Sequence, residues 1–209
     1  MSDVERLPYW AVVVARSVTA LGATIAITFS ADHSAEFGLT VFGIYAIVLG
    51  AVLIVGARAA LTPGVPRRIV IAQGIVSLLA GVIALVASWG GVALLLSLVS
   101  GWAAITGFLE LYLGLRRRWG AQVAHSKDWV FTGALTALFA IVMLLIPLDF
   151  SQPYTGPDEV DRFLTASIIG VGMLGAYCGI LGVYLAIAGL SLRWASKEPV
   201  VASTSESSN

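Results

Sequence analysis

Two charged side chains, Arg16 and Glu110, interrupt runs that are otherwise apolar. Each lies inside a stretch long enough to cross a membrane. Arg16 is about 9 Å in from Trp10 and Glu110 about 7–8 Å from Leu115, at roughly 1.5 Å per helical residue. A charge at that depth costs about 3 kcal/mol or more unless it is paired or hydrated. Three chemistries fit: an ion pair tying two helices together, a proton or substrate site, or an arginine reaching back to the interface along its own stem. Gln73 aligns with Arg16 in a related stretch, so Arg16, Gln73 and Glu110 form the candidate intramembrane polar cluster.

Other reactive side chains are sparse. His33 and His125 fall in connections on opposite sides of the membrane, so they cannot share a metal. His125 lies near Asp128, where a histidine can titrate close to neutrality, but a solvated loop histidine also fits. The single cysteine, Cys178, excludes an intrachain disulfide and a cysteine-based zinc cluster, and its place in mid-run beside Gly179 suits small apolar packing. Walker, Rossmann, zincin, Gly-x-Ser-x-Gly and haem-type signatures are missing from the sequence. No catalytic residues, metal ligands or cofactors are therefore assigned, and the chain is expected not to be an enzyme.

The elements that must position the cluster follow from composition. Of 209 residues, 58% are hydrophobic and 11% charged, against roughly 25% charged in soluble domains. Twelve basic and twelve acidic residues cannot coat a soluble globule of this size, and a mean hydropathy of +0.93 points to an integral membrane protein. A net charge of zero argues against a nucleic-acid partner. Six apolar runs, residues 10–29, 37–55, 69–87, 92–115, 129–148 and 163–192, are each long enough to span about 30 Å of hydrocarbon as a helix. They lack the every-second-residue alternation of barrel strands. The connections are short, so residues 1–194 form one six-helix domain, with 195–209 a serine-rich disordered tail. Arg16 within the first run, and the acidic Asp3 and Glu5 ahead of it, make that run a span rather than a cleaved signal.

Lys and Arg are unevenly shared. Arg58, Arg67, Arg68, Arg116, Arg117, Arg118, Lys127, Arg193 and Lys197 fall on one side with both termini. The other side holds Asp32, Glu36, Asp149, Asp158, Glu159 and Asp161 with Arg162 alone. The positive-inside rule predicts N-in/C-in topology in a cell membrane, the inner one in a bacterium. The acidic loops read as solvation, without the ligand spacing of a calcium loop. Trp10, Trp119, Trp129 and Trp194 lie near span ends and read as an aromatic belt. Membrane lipid is the expected partner, with Arg116 to Arg118 drawing anionic headgroups.

The chain also repeats itself. Tyr45-Ala-Ile-Val-Leu-Gly50 matches Trp102-Ala-Ala-Ile-Thr-Gly107 and Tyr177-Cys-Gly-Ile-Leu-Gly182. Small residues recur every seven positions in the even runs: Gly43, Gly50 and Ala57; Ser100, Gly107 and Gly114; Gly175, Gly182 and Gly189. In the odd runs Ala15-Arg16-Ser17 matches Ala72-Gln73-Gly74, with Thr132-Gly133 at the corresponding place. The fold predicted is all-α, six transmembrane helices arranged as three repeated hairpins over about 9–58, 67–118 and 127–194, each an odd span followed by an even one. Seven residues are two turns, so each triplet is a stripe where backbones approach closely and gain dispersion contacts.

The segment Leu98-Val-Ser-Gly-Trp-Ala-Ala-Ile-Thr-Gly-Phe-Leu-Glu-Leu-Tyr-Leu-Gly-Leu-Arg-Arg-Arg118 resembles the HdeD-like family of small bacterial six-span proteins built from helix hairpins. The positions that carry the likeness are Trp102, Gly107, Glu110 and Arg116 to Arg118, while Leu53 and Leu185 stand where Glu110 falls in the other two units. The resemblance implies a role in envelope or acid-stress resistance, or as a component of a membrane complex with a second copy or with other membrane proteins. The alternative is a small permease or proton-coupled channel working through Arg16, Gln73 and Glu110. The long acidic segment 149–162 departs from the tight hairpin of that family.

Overall fold

The computed structural model describes residues 8–118, 126–155 and 161–196. Six helices dominate it: α1 (Tyr9–Thr28), α2 (Ala35–Ala60), α3 (Val65–Val86), α4 (Gly91–Arg118), α5 (Ser126–Leu144) and α6 (Ala166–Ala195). All six are long and apolar enough to cross a membrane, and the chain is a multi-pass α-helical membrane protein. Their outer faces remain apolar, with Val18, Val55, Ile105 and Ile187 all exposed, as a lipid-facing surface requires.

Local chemistry sets the helix ends. Ser34 caps α2 by accepting the Phe37 N–H at 3.2 Å. Pro66 sits in the first turn of α3, where its missing N–H has no helical partner to lose. Between α3 and α4 a 3-10 turn over Ser88–Gly90 is followed by Gly91 at φ 69°, a left-handed conformation that glycine adopts without strain.

Two ends differ from expectation. Helix α5 stops at Leu144 instead of running to 148, because Pro147 lacks an N–H and disfavours helical geometry at Ile146. Residues 163–165 are strand rather than helix. Strands β1 (Ser151–Thr155) and β2 (Asp161–Thr165) pair antiparallel, with Ser151 opposite Thr165 and Thr155 opposite Asp161. The Ala166 N–H donates to the Phe150 carbonyl at 3.0 Å and joins this ribbon to the head of α6. Trp119, His125, Asp158, Glu159 and the tail from 197 lie outside the described residues.

Helix packing also departs from the expected hairpins. The closest partners are α2 with α3, α4 with α5, and α6 with α1, so the six helices close into a ring. The odd and even helices of each predicted unit touch less extensively. The small-residue stripes lie at the close pairs. A Cβ built on Gly50 would sit 2.6 Å from the Gly74 carbonyl, and one on Gly43 would sit 2.7 Å from the Leu85 side chain. On Gly107 it would meet the Ala137 nitrogen at 2.7 Å, and on Gly114 the Val130 nitrogen at 2.7 Å. On Gly175, Gly182 and Gly189 it would meet Ile27, Leu21 and Val14 of α1 at 2.7–2.9 Å. Ser17 donates its hydroxyl to the Gly182 carbonyl at 2.7 Å, and Thr24 donates to that of Gly175 at 3.2 Å. Ser100 is buried on the same stripe of α4 and donates to the Ser97 carbonyl.

The middle of the ring is filled by rings of another kind. Trp102 makes edge contacts with Phe42, Tyr45 and Tyr177 at centroid separations of 5.3, 5.9 and 6.4 Å, and Phe139 stacks on Tyr177 at 4.3 Å. Towards the end that carries β1 and β2, buried Leu39, Leu95, Val171 and Leu174 continue the core. Gly38 packs there so closely that a Cβ would lie 2.6 Å from Val171. Towards the opposite, basic end, the core becomes polar.

Candidate functional site

Helix α1 presents Arg16 and α4 presents Glu110 at the same level of the bundle, two turns from the basic end. Arg16 Nη2 donates to Glu110 Oε1 at 2.5 Å, with side chains 9% and 5% exposed. The guanidinium therefore does not reach back to the interface, which removes one of the three readings of the sequence. Arg16 Nε is buried and has no hydrogen-bond partner among the described residues.

The pair borders a cavity of about 20 Å³, lined also by Gln73, Leu53, Val70 and Trp129. Gln73 is 4% exposed and shares this space with Arg16 and Glu110, yet among the described residues no hydrogen bond ties it to either. The three candidate residues thus meet at one place, as a charge pair and a separate amide rather than a continuous network.

Two aromatic residues, Tyr9 and Trp129, also line the cavity. Trp129 is 4% exposed and donates its indole N–H to the Tyr9 hydroxyl at 2.7 Å, with the rings edge-on at 6.5 Å. It was expected in an interfacial belt. Instead it lies on the inward face of α5 (Ser126–Leu144) and is buried in the bundle. Tyr184 of α6 donates to Asp128 Oδ1 at 2.8 Å, beside Phe131, on which it stacks at 4.1 Å. The sequence singled out Asp128 only as a neighbour of His125 and did not single out Tyr184. Trp10 and Trp194 remain at the basic end, where the Arg193 guanidinium covers the Trp10 ring at 5.1 Å. Arg116 bonds the Tyr112 hydroxyl at 2.8 Å.

The remaining candidates stay apart from this centre. His33 lies in the α1–α2 connection and Cys178 is fully buried in mid-helix. Among the described residues no cluster of His, Cys, Asp and Glu has metal-site geometry.

A buried, paired charge beside a small chamber lined mainly by apolar side chains, between an aromatic plug and a Tyr–Trp contact, holds two helices in register and keeps ionised groups away from hydrocarbon. These features define an α-helical membrane protein with a closed interior. In comparisons with known proteins no family model matches the chain. No curated protein and no solved structure matches it either.

Proposed function

We propose that the protein is a non-enzymatic, HdeD-like six-span protein of the cell membrane, built from three repeated units with both termini in the cytoplasm. It serves as a membrane scaffold in envelope or acid-stress resistance, alone, with a second copy or within a membrane complex. The observation that carries the scaffold reading is the plug of Phe42, Tyr45, Trp102 and Tyr177 across the bundle centre. Transport needs a polar path from face to face, and here the buried charges and Gln73 lie on one side of the aromatic plug, with buried Leu39, Leu95, Val171 and Leu174 on the other.

The repeat reading draws support from matching contacts. Gly50 meets Gly74 and Leu78, Gly107 meets Gly133 and Ala137, and Gly182 meets Leu21 and the Ser17 hydroxyl. These sets occupy corresponding positions in the three units. The stress role rests on the likeness of 98–118 to its family, and the orientation rests on the distribution of Lys and Arg.

Proton flux through proteoliposomes carrying a trapped pH dye tests the scaffold against the permease. Scaffold function predicts the leak of protein-free vesicles under an imposed pH gradient. Flux above that leak, abolished by Glu110→Gln, would overturn the scaffold and establish the permease.

A further inference from the structure

We infer that the outward groove between α4 and α5 holds one acyl chain of an anionic phospholipid, whose headgroup sits by Arg116 and Lys127. The groove has a volume of about 410 Å³, within the roughly 300–1,000 Å³ of small-molecule sites. It exists because its lining is uneven. Gly101, Ala104, Ala137 and Ala140 are small, whereas Phe108 and Leu144 are bulky and 66% and 75% exposed. A Cβ built on Gly101 would meet no atom within 4 Å. Ser100, the one polar side chain among the described lining residues, donates its hydroxyl to the Ser97 carbonyl, so the groove offers an apolar surface.

Length and charge select the occupant. From Leu111 to Gly101 the groove follows α4 for about 15 Å, at roughly 1.5 Å per residue. One leaflet supplies about 15 Å of hydrocarbon, half of the whole. Past Leu111 the helix becomes basic. Phe108, Tyr112 and Arg116 follow one another at one-turn spacing, and the Tyr112 hydroxyl accepts from Arg116 Nη1 at 2.8 Å. Lys127 is exposed in the first turn of α5. A Cβ on Gly114 would lie 2.7 Å from the Val130 nitrogen, so these two helix ends run side by side where the groove meets the basic face. Asp128, next to Lys127, accepts from Tyr184 of α6. A tail in the groove with its phosphate by two cations fits both features. A second copy seated here by a two-fold axis along the membrane normal fits less well, because it would bring its own Arg116 and Lys127 to the same depth and set like charges together.

Vesicles of phosphatidylglycerol and phosphatidylcholine, matched in chain length and mixed equally, supply the probes. After extraction in mild detergent, native mass spectrometry counts the lipids that stay on each chain. One retained lipid per chain is expected, with phosphatidylglycerol preferred about 25-fold, since each basic residue near the surface is worth about fivefold. Gly101→Leu grows into open space and should expel that lipid. Arg116→Gln/Lys127→Gln leaves the groove intact and should keep a lipid while bringing the two kinds to near parity. Gly22→Leu, in the smaller groove between α1 and α2, should retain lipid as the native protein does. The site is overturned by no retained lipid, by equal retention of the two kinds in the native protein, by retention that Gly101→Leu leaves unchanged, or by an equal loss in Gly22→Leu. A native dimer that becomes monomeric in Gly101→Leu overturns it too and gives the groove to a second copy.

Discussion

The Trp102 indole donates its N–H to Ser77 Oγ at 3.0 Å, across the interior from α4 to α3. Tyr177 on α6 has the corresponding bond to Thr136 on α5, at 2.9 Å. Thr136 commits its own proton to the Thr132 carbonyl at 2.8 Å, so Tyr177 is the donor. Ser77 and Thr136 each lie four residues after the position that aligns with Arg16. In the first unit that place is Ala20, and the Tyr45 hydroxyl is buried without a hydrogen-bond partner among the described residues. Tyr45→Phe should therefore leave stability unchanged or raise it, whereas Tyr177→Phe should lower it by about 1 kcal/mol. Ala20→Ser should stabilise only when Tyr45 is present. Thermal unfolding in detergent measures all three, and equal losses from the two Tyr→Phe changes would contradict the assignment.

The Arg16–Glu110 bond makes a second expectation quantitative. Removing one member strands the other in a poorly solvated place, at about 3–5 kcal/mol, while replacing both with apolar groups is often near neutral. Arg16→Met and Glu110→Leu should each destabilise, and the double variant should recover most of the loss. The double-mutant cycle isolates that coupling, and simple additivity would show that the two charges do not depend on each other.

Glycines of the same composition differ in consequence. Gly50→Ala and Gly107→Ala place a methyl within 2.6–2.7 Å of backbone atoms of the facing helix and should cost roughly 1–3 kcal/mol. Gly22 has open space around it, so Gly22→Ala should be neutral or stabilise by up to about 1 kcal/mol through helix propensity. Losses of the same size at all three sites would mean that close approach is not what these positions provide.

Orientation is open to labelling. In a Cys178→Ala background, an impermeant maleimide added to intact cells should label Gln152→Cys and spare Thr62→Cys, both being exposed positions outside the helices. The reverse pattern would invert the topology.

Much of this protein was legible without coordinates because a membrane restricts what a chain can do. Hydrocarbon forces backbone groups into helices, so apolar run length alone yields six spans, and the rarity of charge within them singles out Arg16 and Glu110. The stripes from Gly43 to Gly189 were readable because side-chain volume is a local property. Which helix each stripe would meet was not readable. The ring closes through α6 against α1, between residues more than 150 positions apart in the chain, such as Ser17 and Gly182. The inward turn of Trp129 and the orphaned hydroxyl of Tyr45 likewise depend on the rotation of each helix about its axis. That rotation is set by the sum of many small packing contacts between neighbours, a property of the assembled bundle that no single segment encodes.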